Sequence, residues 1–224
     1  MKNDPVSKEY SKLTADTCKL NNISYEYIDA IENLTCDTAF EKVGVEKHQD
    51  YTNTSRNCCC HASHIKCWKR VIELKRPCLI LEHDAVIKGN INTIEIPDNT
   101  IVVYGHRVYD LNDYTPPGPP SNLIQIRRAI GTHAYGITPV TAELLWDYVH
   151  TNKITVGIDR FLMRGRDHGL SLCVCEPPQV VAWVRQSTID FSDRSKRNRA
   201  MYKNTRESIT PGWLKGYTGV MLYK

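Results

Sequence analysis

Apolar positions along the chain fall into short blocks between polar stretches, and the spacing inside each block predicts its element. Residues 7–20 place Tyr10, Leu13, Cys18 and Leu20 at roughly helical intervals, and Asn21-Asn22 closes that helix. Ile23 to Ile28 alternates aromatic and β-branched residues with polar ones, the pattern of a strand. Residues 35–57 lack a clear period and read as loop with one helical turn at most. A helix is expected from Ser63 to Leu74, with Ile65, Trp68, Val71 and Ile72 on one face, Ser63 as its cap and Pro77 beyond its end.

Cys78 to Leu81 is apolar at all four positions, which predicts a buried strand that ends in the polar triplet Glu82-His83-Asp84. Thr100 to Tyr104 predicts another buried strand, and Thr132 to Ile137 a further one. Thr138-Pro139 opens a helix with proline in its first turn and a stripe of Val140, Leu144, Leu145, Tyr148 and Val149. Ile158 to Met163 reads as a short helix or turn and Val180 to Val184 as a last strand. The order helix, strand, helix, strand, strand, helix, strand predicts an α/β fold with a mostly parallel sheet. The opening helix and strand read as the second half of a βαβ unit whose first strand precedes residue 4.

Composition changes this picture in a few places. With 224 residues and 41% apolar content the chain suits one domain with a real core, expected over residues 1–192. Residues 193–224 read as a tail, basic over Arg194 to Arg206 and apolar from Trp213 to Tyr223. Thr115 to Pro120 (TPPGPP) reads as a loop. A net charge of +4 is mild, which weighs against a nucleic-acid binder, although the basic tract keeps that class open. No run of eighteen apolar residues exists, so no membrane-spanning helix is expected. No leader is visible at the N-terminus, and a cytoplasmic location with nine reduced cysteines is the expectation.

Five constellations carry candidate chemistry. Glu82 and Asp84 leave a buried strand two residues apart, where hard oxygen ligands suit Mg2+ or Mn2+ and a sugar nucleotide; a solvated acidic loop is the competing reading. Cys60, His64 and Cys67 have a zinc-like spacing but no distant second pair, so packing cysteines are the alternative. Asp159 suits a base or acceptor-positioning carboxylate, or a helix cap. His168, in Asp167-His168-Gly169, suits a metal ligand or an exposed turn, and the basic tract suits phosphate or a solvated tail.

In order, these pieces resemble glycosyltransferase family 25, which includes lipooligosaccharide galactosyltransferases and collagen galactosyltransferases. The family carries a Gly-Cys-x-x-Ser-His-x-x-x-Trp segment and then a strand ending in Leu-Glu-Asp-Asp. Ser63, His64 and Trp68 match the first, and Glu82 and Asp84 match the second with His83 in place of the middle aspartate. Gly131 to Thr138, Val156 to Leu162, and Gln179 to Ile189 resemble later family blocks, and Leu20 to Ile31 resembles an early strand.

The resemblance implies a GT-A-like single domain, an α/β/α sandwich around a mainly parallel sheet. It implies transfer of galactose or glucose from a UDP-sugar to a hydroxyl of a glycan, lipid-linked or protein acceptor, with inversion and dependence on Mn2+ or Mg2+. In that reading Asp84, Glu82 and His168 hold the metal, and Asn3, Ser63, His64 and Glu82 contact the donor. Asp159 is the general base. Two other classes stay in play: a catalytically degenerate nucleotide-sugar or carbohydrate-binding module, because the first strand is nearly absent, and a basic nucleic-acid-interacting protein.

Overall fold

A computed structural model describes residues 5–87, 91, 94–105, 122–125, 132–176 and 179–182. All of them belong to one compact unit, Met1–Val184. The Pro-rich loop, the basic tract, the apolar end and Asn3 lie outside the described residues.

Three helices follow one another before the first strand. Helix α1 spans Pro5–Leu20 and α2 spans Cys36–Glu41. Helix α3 spans Ser55–Leu74, starting eight residues before the expected Ser63. Its cap is Thr54, whose hydroxyl accepts from Asn57 N, while Cys58, Cys59, His61 and Ala62 carry the buried face through the first turns. The periodicity was obscured there because cysteine and histidine do the packing that aliphatics usually do. Lys75 closes α3 in the left-handed region at φ 51°, and Pro77 follows.

The main sheet has five strands in the order β1-β5-β3-β6-β4. They are β1 (Cys78–Leu81), β3 (Thr100–Val103), β4 (Asn122–Gln125), β5 (Ala134–Ile137) and β6 (Ser171–Glu176). Only β3 and β6 run parallel; β1–β5, β3–β5 and β4–β6 are antiparallel. The sheet is therefore mixed, not mainly parallel as expected. Element order predicts a parallel sheet only when each strand returns through a crossover helix, and here β1 and β3 both take β5 as an antiparallel neighbour. A separate two-stranded sheet pairs β2 (Ala85–Ile87) with β7 (Val180–Ala182).

Strand β6 was not foreseen from the sequence, yet it alternates cleanly. Leu172 and Val174 join the core beneath α3, α4 (Pro139–Thr151) and α5 (Ile158–Leu162). Cys173 and Cys175 face the second cluster with Val102, Tyr104, Ala134 and Cys18 of α1. Two cysteines in the period-2 frame hid the pattern. Residues 23–28, expected as a strand, pair with no described strand, and Tyr25 and Tyr27 are exposed, Tyr27 at 64%.

Helix α4 matches its expected start, with Thr138 capping Thr141 N and Pro139 in the first turn. Its stripe is rotated from the expected one: Thr141, Ala142, Leu145 and Val149 are buried, while Val140 and Leu144 are exposed. Two residues of α2 and α3, Cys36 and Cys58, form a disulfide. That departs from the expectation of nine reduced thiols.

Candidate active site at the end of strand β1

Four segments far apart in sequence converge where β1 ends. Leu81 lies opposite Ala134, so the next residue, Glu82, runs alongside His133 and donates its N–H to His133 O at 2.9 Å. Ile80 lies opposite Tyr135, which turns the tyrosine toward the face covered by α3. Helix α3 brings Cys60, His64 and Trp68 to that face at successive i, i+4 positions.

Hydrogen bonds join these residues into one chain. Trp68 Nε1–H donates to Tyr135 Oη at 2.9 Å. An indole N–H can only donate, so the tyrosine oxygen accepts there, and the same oxygen lies 2.9 Å from His64 Nδ1. Nε2 lies 3.3 Å from Glu82 Oε1, and an ionised carboxylate can only accept, so Nε2–H donates to it. Burial pushes the Tyr135 phenol well above its usual range, which keeps it a donor.

Glu82 stays ionised. Burial works to raise its pKa, but the hydrogen bond from His64, that ring's charge, the Thr132 hydroxyl and His133 outweigh burial and bring it from 4.5 to about 2. Thr132 Oγ1 bonds Glu82 Oε1 and lies 3.2 Å from Asp159 Oδ1. One hydroxyl carries one proton and donates to one carboxylate at a time, and the shorter contact is with Glu82. Thr132 thus links the end of β1 to Asp159 at the exposed first turn of α5.

Asp84 is half-buried in the turn in which Ala85 N donates to Glu82 O at 3.1 Å. His83, at the position where the family motif has aspartate, turns to α1 instead. Its ring stacks on Tyr10, and its carbonyl accepts from Thr14 Oγ1 at 2.7 Å. The Cys60 thiol is pushed well up by burial first, then by the carboxylates of Glu82 and Asp159, the Cys67 thiol and the Asp84 carboxylate. Cys60 therefore senses all three carboxylates of the site.

Not every expected residue joins this group. Ser63 Oγ accepts from Ile31 N at 2.9 Å and donates to Cys59 O at 2.8 Å, so it ties the 23–31 segment to α3. His168 donates from Nε2 to Phe161 O at 3.0 Å and packs 4.2 Å from the rings of Phe161 and Tyr148. Among the described residues, the ligand atoms that gather within 4.8 Å of one another belong to Cys60, His64 and Glu82, a set that contains neither Asp84 nor His168. The Tyr135 and Thr132 roles were missed from sequence because register, not spacing, sets them against His64 and Glu82. Cys60 and His64 were legible as a helical pair; Cys67, expected with them, gives way to Glu82.

No described helix is long and apolar enough to cross a membrane. No curated protein matches the chain. A family model described as "Glycosyltransferase family 25 (LPS biosynthesis protein)" matches residues 6–116. The matched stretch contains α1, α3 and the Glu82 to Asp84 turn, whereas Thr132, Tyr135 and Asp159 lie beyond it. That match, over the half of the chain that carries the motifs at the end of β1, places the protein in glycosyltransferase family 25.

Proposed function

We propose that the chain is a glycosyltransferase that moves a hexose, galactose or glucose, from a UDP-sugar to a hydroxyl of a glycan, lipid-linked or protein acceptor, with inversion. The observation that carries this reading is the bridge from Glu82 through Thr132 to Asp159. It supports a site in which one carboxylate is held ionised and a second, more exposed one stands beside it. The second suits a general base for an acceptor hydroxyl, which must come within hydrogen-bond reach of it. Family membership supports the nucleotide-sugar donor, and helices packed on both faces of a mixed sheet are compatible with a GT-A-like domain.

The residues at the turn fit a divalent ion. Asp84 offers carboxylate oxygen, and the hydrogen bonds from His64 and Thr132 both reach Glu82 at Oε1, so Oε2 is the oxygen to share the ion or meet the donor ribose. Such hard oxygen ligands suit Mn2+ or Mg2+. When bound, the ion offsets charge on the diphosphate leaving group. His168 is not part of this proposal, because its ring belongs to the Phe161 and Tyr148 cluster.

In this reading His64 orients Glu82, Asp84 anchors the donor, and Asp159 takes the acceptor proton. The test is donor hydrolysis and transfer with UDP-galactose and UDP-glucose in the presence of Mn2+. Asp84→Asn is expected to abolish both. Asp159→Asn is expected to lower kcat by about 10²–10⁴ with donor binding unchanged. Full transfer in Asp159→Asn removes the base assignment, and binding without any turnover in the unsubstituted chain favours the degenerate binding module.

A further inference from the structure

Helix α3 carries a second cluster, which meets the proposed donor site at Glu82. Cys60 and His64 stand one helical turn apart on one face of α3, and Glu82 reaches the same point from the end of β1. One ligand atom from each lies within 4.8 Å of the others. We infer that Cys60 Sγ, His64 Nε2 and Glu82 form a three-ligand site for a thiophilic divalent ion of the zinc class, with a fourth position open.

The donor set selects the ion. Thiolate and imidazole are poor ligands for Mn2+ or Mg2+ and good ones for Zn2+ or Co2+. Zinc bonds of about 2.3 Å to sulfur and about 2.0–2.1 Å to nitrogen place ligand atoms roughly 3.5 Å apart. Small rotations of side chains already pointing at one another close the remaining gap.

The surroundings fit as well. Metal-bound histidine usually has its second nitrogen held by a hydrogen bond that sets the ring plane. Here Tyr135 Oη holds Nδ1 at 2.9 Å, and Trp68 holds Tyr135 in turn. On binding, the Cys60 thiol gives its proton to solvent and the imidazole carries a single proton on Nδ1, donated to Tyr135 Oη, whose own proton turns away, so the ion replaces the His64–Glu82 hydrogen bond. Thr132 bonds Glu82 and lies 3.2 Å from Asp159, and Asp84 follows Glu82 by two residues, so carboxylates gather where a dication would sit.

The site shares Glu82 with the proposed donor site but does not depend on donor chemistry. The test is titration of the full chain with Co2+, read by absorption. The expected result is a near-ultraviolet sulfur-to-cobalt charge-transfer band that saturates at one equivalent and is displaced by Zn2+ but not by Mn2+. Cys60→Ser is expected to remove the band, and Cys67→Ser to keep it, with far-ultraviolet circular dichroism showing both folded. Glu82→Gln is expected to weaken cobalt binding at least ~10-fold while leaving a thiolate band at high Co2+. A folded chain without the band, or a band of equal strength in Cys60→Ser, overturns the assignment. Asp84→Asn separates the two readings: loss of UDP-sugar turnover with the band intact leaves this site standing, and turnover without a band leaves the transferase standing alone.

Discussion

Tyr135 Oη lies 2.9 Å from His64 Nδ1 and also receives the Trp68 indole proton at 2.9 Å, so one phenol on β5 joins two side chains of α3. Replacing Tyr135 with phenylalanine leaves both partners without their group in a buried place. The expected cost is about 1–3 kcal/mol in urea unfolding. The nitrogen-15 shift of His64 Nδ1 should also move, because that nitrogen loses its partner. An unchanged midpoint with unchanged shifts would show that the phenol does not hold the ring.

Thr132→Val tests the link between the carboxylates. Without the hydroxyl, Glu82 loses one of the donors that hold its pKa near 2, so its carboxyl should titrate at higher pH. Hydrogen bonds to charged groups are worth about 1.5–3 kcal/mol, so transfer should fall roughly 10-fold or more. Carbon-13 titration of Glu82 checks the first part. An unshifted Glu82 would mean that His64 alone sets it.

His61 makes the fold acid-sensitive. The ring is fully buried between Phe40, Trp68 and Phe161. Burial, then the charge of His64, lowers its pKa from 6.5 to about 3, with the Val156 backbone acting weakly the other way. The unfolded chain binds this proton more readily than the folded one, so stability is whole above pH 6.5 and falls as pH drops toward 3. The slope is about 1.4 kcal/mol per pH unit for one such group. Burial lowers the His168 pKa as well, with the same sign. Below 4.5 Glu82 adds its own loss, because its folded pKa is also depressed. Urea midpoints between pH 7 and pH 5 should therefore fall steeply, and less so in His61→Leu. Equal slopes in both proteins would exclude His61 as the cause.

The Cys36–Cys58 bond closes a separation of 22 residues between α2 and α3. Chain entropy for a loop of that length corresponds to about 3 kcal/mol. Reduction, or Cys36→Ser, should lower the urea midpoint by that order. Reductant should then have no further effect on the Cys36→Ser protein. A further drop would point to a second disulfide.

Gly105 fills a place no side chain can take. A Cβ there would overlap His133 Nε2 and Val180 O. Gly105→Ala should displace His133, whose carbonyl holds Glu82 N, and so lower both thermal stability and donor turnover. Intact turnover in a destabilised protein would show that the turn tolerates the shift.

Much of this molecule was written locally. The caps and prolines of α4, the apolar runs of β1 and β3, and the Ser63-His64-Trp68 and Glu82-Asp84 motifs are all properties of neighbouring residues, and the family follows from those motifs. Local rules misled where the packing residue was unusual, as with the cysteines of α3 and β6, or where a good strand pattern found no partner among the described strands, as at 23–28.

Strand register belonged to the tertiary structure. Pairing Ile80 with Tyr135 and Leu81 with Ala134 brings residues some fifty positions apart to within hydrogen-bond distance. That choice decided that Tyr135 serves His64, that Thr132 joins Glu82 to Asp159, that His83 faces Tyr10, and that Cys60 meets Glu82 rather than Cys67. Sequence spacing constrains partners within one helix or strand, because backbone periodicity is fixed. It says nothing of which face another segment will cover, because that depends on packing of the whole core.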